Sequence, residues 1–329
     1  MSRYREADLA RIRTEPVRER PSRVSVGDFA RPVAAEMASL LDALPDILAG
    51  RTIRETVRAV ATARRGGRPV LVMAGGHVIK TGCAPVLIQL LDAGAVTAIA
   101  LNGAAAIHDF EIARFGRTSE DVEAALGEGS FGMAEETSRE MNAITRQAAE
   151  QGLGLGEGLG LALQDAPHAQ TSLLATAYAL GLPVTVHVAL GTDILHQHPS
   201  ANGAAIGETS LRDFRILAAC LEGFRGGVAC NVGSAVVLPE VFLKAFSVAL
   251  NLGAELTGIT TVSFDFIRHY RPRMNVLDRP TAGGRGEGIE LVGHHEILLP
   301  LFAAGVLRDL VAPSQNTPPE SLDAQGRVR

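Results

Sequence analysis

The sequence predicts a doubly wound α/β fold: a mostly parallel sheet of six or more strands with helices on both faces. Three observations point there. Short apolar runs recur, each closed by glycine or by a polar turn. Helix-length stretches stand between them, and the alternation runs from about residue 68 to about residue 310. Strands buried on both faces read as continuous apolar runs rather than as alternating ones, and strand–helix alternation demands parallel pairing.

Residues 1–35 carry Arg5, Arg11, Arg13, Arg18, Arg20 and Arg23 among acids and prolines, and read as a partly disordered arm that is mobile or hugs a partner. Residues 36–64 have helical spacing, first through Met37, Leu40, Leu41, Leu44 and Ile47, then through Ile53, Val57, Val60 and Ala61. Pro69–Ala74 is the first buried strand, ended by Gly75-Gly76. A helix is predicted over Thr81–Ala93, with Pro85 in its first turn and Gly94 at its end. Val96–Leu101 is the second strand, followed by Asn102-Gly103 and a helix to about Phe115. Thr118-Ser-Glu-Asp121 reads as a capped helix start. A long helix is predicted over Met133–Glu150, and the glycine-rich stretch Gln151–Leu163 reads as a loop leading to a helix. Further strands are predicted at Val184–Ala189, Val228–Val232, Ile259–Phe264 and Ile289–Val292. Helices are expected at Leu211–Glu222, Pro239–Leu252 and Glu296–Leu310. These assemble into a single Rossmann-like domain over residues 36–311. The tail 312–329 is rich in Pro, Ser, Gln and Asp and reads as disordered.

With 329 residues and 47% hydrophobic content, the chain can build its core without a metal or disulfide staple. A net charge of -5 with scattered basic residues leaves no footprint for nucleic acid. The apolar runs are strand-sized, so no membrane span is expected. Cys83, Cys220 and Cys230 form no disulfide framework, and the polar, Arg-rich start does not resemble a signal peptide. The expected location is the cytoplasm. Only two lysines occur, Lys80 and Lys244, which narrows any mechanism that needs a deprotonatable amine.

In an open parallel sheet, ligands bind outside the C-terminal strand ends. Those ends carry Gly75-Gly-His-Val-Ile-Lys-Thr-Gly82, Asn102-Gly-Ala-Ala-Ala-Ile-His-Asp-Phe-Glu111, Gly191-Thr-Asp-Ile-Leu-His-Gln-His198, Asn231-Val-Gly-Ser234, Asp265 and Gly293-His-His-Glu296. Glycines beside helix N-termini present free N–H groups to a phosphate. Neither Gly-x-Gly-x-x-Gly nor a P-loop is present. His108-Asp109 suits acid–base work. Asp193, His196 and His198 have metal-compatible spacing, with His294, His295 and Glu296 as further donors.

The blocks at 75–82 and 102–111 resemble two related families, deoxyhypusine synthase and the archaeal-type NAD-dependent ornithine cyclodeaminase of the LOR/SDH-related group. Leu182–Asp193, Asn231–Ser234 and Ile297–Leu301 are similar to further segments of the synthase, so the resemblance spans about Arg68–Leu310. It implies a Rossmann-like fold, bound NAD and oxidation of an amine or amino acid to an imine, followed by transfer, deamination or cyclisation. By position it implies that Gly76, His77, Thr81, Asn102, Gly103 and Ala104 line NAD, with Asp193 and Gly233 nearby and His108 and Asp109 beside the cofactor. Gly75, Gly82, Asn231 and Ser234 join that set as strand-end neighbours. Arg271, Arg273, Asn275 and His196 are the candidate substrate contacts. His108, Asp109, Asp193, His294 and Glu296 are the candidate proton carriers. The relatives form homotetramers, and a tetramer is expected here. The synthase's lysine is missing, since Arg271–Gly288 contains none, so deoxyhypusine synthesis itself is not expected. Two alternatives stay open: a metal-dependent hydrolase or lyase built on Asp193, His196 and His198, and a catalytically silent nucleotide-binding protein.

Overall fold

The computed structural model describes residues 8–311; the predicted tail and the first seven residues of the arm lie outside them. The strands are β1 (Ser22–Ser25), β2 (Val70–Ala74), β3 (Ala98–Asn102), β4 (Arg117–Glu120), β5 (Val184–His187), β6 (Val228–Val232), β7 (Ile259–Asp265) and β8 (Gly286–Val292). Six of them form one all-parallel sheet in the order β5-β3-β2-β6-β7-β8. Numbered within that sheet, the order is 3-2-1-4-5-6, the Rossmann arrangement, and the order reverses between β2 and β6.

Every residue of β2 and β6 is buried, as continuous apolar runs require when helices cover both faces. The pleat divides the core in two. Val70, Val72 and Ala74 point into the larger layer with helices 48–65, 84–92, 103–115 and 295–311. Leu71 and Met73 point into the other, with helices 203–222 and 237–251.

Several boundaries differ from expectation, each for a physical reason. The stretch 36–64 breaks at Leu44–Ile47, beside Pro45, before the Leu48–Arg65 helix. The helix expected over Thr81–Ala93 is two helices, Gly76–Lys80 and Ala84–Asp92, joined by Gly82 at a φ of 79°. Thr118-Ser-Glu120 is strand β4, and the helix cap is Asp121, whose Oδ1 accepts the Ala124 N–H at 3.3 Å. The glycine-rich segment contains the Leu155–Ala162 helix rather than only a loop. Its glycines allow close packing, because a Cβ on Gly156 would overlap the Val184 carbonyl and one on Gly160 would crowd Leu174 and Tyr178. The helix starting at Gly203 reaches two turns earlier than expected, with the Asn202 side chain accepting from Ala205 N.

The Arg-rich segment is not a free arm from residue 8 onward. β1 pairs antiparallel with β4, with Ser22 opposite Glu120 and Val24 opposite Thr118. Arg20 is 3% exposed, because its guanidinium meets a buried carboxylate described below.

Two buried carboxylates tie elements together. Asp213, fully buried in the 203–222 helix, accepts backbone N–H groups from Gly156 (2.8 Å) and Val186 (2.7 Å) on one oxygen, while its other oxygen has no partner. Asp109 accepts the Ser172 hydroxyl (2.5 Å) and the N–H groups of Leu173 (2.8 Å) and Leu174 (3.2 Å), capping the Leu173–Ala179 helix.

Burial raises the Asp213 pKa to about 7 despite those N–H donors. The unfolded carboxyl titrates near ~3.9. The folded state therefore holds its proton to higher pH, and the stabilisation present below about pH 4 is lost as pH rises through about 7. Urea unfolding of wild type and Asp213→Asn, compared at pH 5 and pH 8, should show the wild type's stability relative to the variant falling by up to about 3 kcal/mol over that range, with the fold kept in the variant.

Candidate active site

Parallel pairing brings all six C-terminal strand ends to one edge. At the reversal of strand order, Gly75 lies against the turn after β6. Its N–H donates to Val232 O at 2.9 Å, and a Cβ there would overlap the Gly233 carbonyl. Gly233 has a φ of 64°, a left-handed conformation that favours glycine. Asn231 and Ser234 hold this turn from within: Asn231 Nδ2 donates to Ser234 O at 3.0 Å, and Ser234 Oγ accepts from Leu238 N at 3.3 Å.

The blocks after β2 and β3 face each other. A Cβ on Gly76 would lie 3.0 Å from the Ala104 methyl and 3.3 Å from His108 Cδ2. Asn102 caps its own helix, its Oδ1 accepting from Ala105 N at 2.9 Å. Gly103 is pressed against Asp193, whose carboxylate occupies the place of a Cβ. Beyond them opens a cavity of about 240 Å³ lined by Lys80, Ala104, His108, Glu111, Glu120 and Asp193, among others. It suits a small molecule; drug-sized ligands fill roughly 300–1,000 Å³, and a dinucleotide would have to lie along the open strand ends instead.

Asp193, Glu120 and His108 in this cavity are displaced from ordinary behaviour. Burial lowers His108 to about 4 and raises Asp193 to about 6. Burial also raises Glu120, whose Oε1 accepts the Gly132 N–H at 3.1 Å while Oε2 is buried without a partner. Ser119, between Thr118 and Glu120, has a φ of 63°. Thr118 and Glu120, two positions apart in β4, share its inward face as strand alternation requires.

A second cluster stands on the β7–β8 side. The His77 ring centroid lies 5.2 Å from Phe266 and 5.5 Å from His295. His295 is fully buried, approaches Phe264 O at 3.3 Å and leaves Nδ1 unpartnered. Burial lowers the His77 pKa, helped by neighbouring Lys80.

Of the residues singled out in the sequence, the structure thus brings together Gly75, Gly76, His77, Asn102, Gly103, Ala104, His108, Asp193 and Gly233, with Asn231 and Ser234 beneath. Others lie elsewhere. Asp109 sits on the opposite side of its helix, committed to Ser172 and its neighbours. Thr81 Oγ1 donates to His77 O at 2.9 Å, and Gly82 packs on Phe29, so both shape a turn. His196 Nδ1 accepts the Gly191 and Asp193 N–H groups, at 3.1 and 3.3 Å, and shapes the loop that carries Asp193. His294 is 68% exposed at the side chain and faces Glu296, at 3.7 Å, while the adjacent His295 points inward. Arg271 and Asn275 converge on Glu240, at 3.3 and 2.8 Å, and Arg273 pairs with Asp278 at 3.6 Å, so these three serve the helical layer behind β7.

The residues adopted by a metal-site reading do not fit one. His198 is held by Glu135 (3.2 Å) and Ser200 (2.7 Å), and among the described residues no group of three or more His, Cys, Asp or Glu side chains has metal-holding geometry. Sequence reasoning named Arg20 as part of the arm, Lys80 as one of two lysines and Thr118 and Glu120 as a helix start, and placed none of them, nor Glu111, among the site residues. Glu111 was within reach, because residues three apart on a helix share a face.

No protein-family model matches this chain, and no curated protein does. Solved structures do. The ternary complex of AgrE with ornithine and NAD+ is 16% identical, with a TM-score of 0.51, covering 85% of this chain and 34% of that one. A putative LOR/SDH protein from Methanococcus maripaludis gives 16% identity and a TM-score of 0.45, over 88% of this chain and 73% of that one. A putative deoxyhypusine synthase from Entamoeba histolytica gives 10% and 0.46, over 78% and 87%. The chain spans about a third of the length of AgrE. What it shares with that protein is the fold. The resemblance seen in the sequence holds at that level. No described helix is long and apolar enough to cross a membrane.

Gly75→Ala should lower urea-unfolding stability by about 1–3 kcal/mol through the forced separation of the β2 and β6 turns. Gly207→Ala, which adds a methyl where nothing lies within 4 Å, should raise it by roughly 0.5–1 kcal/mol.

Proposed function

We propose that this chain binds NAD across the glycine turns at the strand-order reversal and oxidises a small amine or amino acid held in the adjoining cavity. One observation carries the reading: the Gly75–Gly233 contact and the His108–Asp193 cavity adjoin on a single sheet edge. The cofactor fits the strand ends on this chain's own terms. Gly75 meets the Gly233 backbone with no side chain between them, while Gly76 lies against the Ala104 methyl and the His108 ring and Gly233 against Val78 and His295, whose Nδ1 is left unpartnered. The fold shared with the AgrE complex with ornithine and NAD+ supports the same reading.

When bound, NAD would supply the hydride acceptor for a C–H beside nitrogen, leaving an imine on the substrate. The residues of this chain do the rest. Asp193 and the free oxygen of Glu120 hold an ammonium group, and Lys80 across the same cavity holds a carboxylate. Asp193, whose pKa burial raises to about 6, takes the ammonium proton so that the nitrogen lone pair can drive the oxidation, and His108, kept neutral by burial, accepts a hydrogen bond from the same nitrogen and orients it. No lysine of this chain is required to carry the imine, so hydrolytic deamination or closure within the substrate follows more directly than transfer. Assembly belongs to the same reading: exposed Phe266, Ile267, Tyr270 and Ile297 flank the ends of β7 and β8, where a homo-oligomer, a tetramer by analogy, would cover them.

Purified protein should bind NAD in calorimetry and reduce it with one or more members of an amino-acid and diamine panel. His108→Ala should lower kcat by about 10²-fold while leaving NAD affinity unchanged; turnover retained in that variant overturns the role. Because Asp193 must be ionised to hold an ammonium, kcat/KM should fall as pH drops below about 6, and Asp193→Asn should lose substrate affinity at every pH.

A further inference from the structure

Around Glu111 the described residues place an unusual concentration of buried polarity. Its carboxylate receives both terminal nitrogens of Arg20, at 2.8 and 3.0 Å, with each side chain 2% exposed. Oε1 also accepts the Thr137 hydroxyl at 2.8 Å, and Oε2 accepts the Thr118 hydroxyl at 2.6 Å. Thr118 Oγ1 lies in turn 2.8 Å from His108 Nδ1. An ion pair removed from water to this degree gives back little net stability, since desolvation offsets most of the attraction. Packing alone does not account for it.

The direction of the hydrogen bonds is forced. A carboxylate paired with a guanidinium only accepts, so the single hydroxyl proton of Thr118 goes to Glu111. The Thr118 oxygen can then only accept from His108, whose proton must sit on Nδ1. His108 Nε2 meets no partner among the described residues, and the ring borders the cavity. We infer that Arg20, Glu111 and Thr118 form a buried relay that locks His108 in the Nδ1–H tautomer and so presents a bare Nε2 to the substrate. The three are positioning residues. The inference rests on the role given to His108 above, and it adds that the segment preceding the sheet, through Arg20 and through β1 paired with β4, completes the site.

The charged groups facing His108 are Glu111 on its own helix, Arg20, and Lys80 and His77 from the Gly76–Lys80 helix. Asp193 and Glu120 line the same cavity. Burial outweighs the favourable Glu111 charge and keeps the ring neutral, so the tautomer, rather than the charge, is the property the relay controls.

Nitrogen-15 NMR of the labelled full chain reads that tautomer without any turnover, with the His108 signals assigned by their loss in His108→Ala. At pH 7 the wild type should show a protonated Nδ1 and a bare Nε2. Thr118→Val, which keeps the shape and removes the hydroxyl, should shift the ring toward the other tautomer and lower kcat about 10- to 100-fold with KM little changed. Thr118→Ser should restore both. A bare Nδ1 in the wild type, or an unaltered spectrum in Thr118→Val, overturns the relay even if NAD-dependent turnover is found. If Thr118→Val does not fold, the wild-type and Thr118→Ser spectra still decide. The expected tautomer in a protein that turns over no amine would overturn the proposed function and leave the relay standing.

Discussion

The close approach of Gly75 to the Gly233 carbonyl is the constraint on which the rest of the molecule depends. Two neighbouring parallel strands, β2 and β6, send their following segments to opposite faces of the sheet, which opens a crevice between them. The crevice stays usable only if no side chain grows into it. At Gly75 even a methyl would overlap backbone. The turn on the other side reaches this point because Gly233 takes a left-handed conformation and Asn231 ties it to Ser234. Around that contact the two helical layers can be large and apolar, since neither has to bend to make room for a ligand.

The site beside the crevice is built from charges withdrawn from water. Arg20 and Glu111 neutralise one another, and burial works against the Arg20 charge while the Glu111 carboxylate more than offsets it, holding that pKa above its ordinary value. Asp193 and Glu120 have no such partner, and burial raises both. A cavity with underpaired carboxylates and a neutral imidazole favours a ligand that brings its own positive charge. Asp109 and Asp213 are more deeply buried than Asp193, and each is bound to two backbone N–H groups and serves helix termini and strand–helix junctions.

Much of the layout was legible from residue order, and the departures are instructive. The apolar runs located all six sheet strands, although the edge strand β8, with Glu287 and Glu290 on its partly exposed length, was visible only from Ile289 onward. The glycine turns after the first two strands were equally visible. Asp109 and Glu111 were harder to rank: both follow His108 closely, but at 100° per residue Glu111 returns to the imidazole's face while Asp109 turns away to Ser172. His294 and His295 are adjacent and of one type, and only the entry angle of the last helix decides which is buried. The arginines at 271 and 273 looked like carboxylate ligands, yet Glu240 and Asp278 already answer them.

By itself the sequence determined the parallel Rossmann-like sheet, the edge to which the glycine turns come and the absence of lysine from Arg271–Gly288. These follow from local patterns: hydrophobic runs, glycine positions and residue identity. Tertiary structure alone decided that Arg20 meets Glu111 across 91 positions, that Asp193 lies on Gly103, and that Thr118 of β4 reaches both Glu111 and His108. Such pairings depend on how separate segments dock and on which charges can be buried together, and no spacing along the chain encodes them.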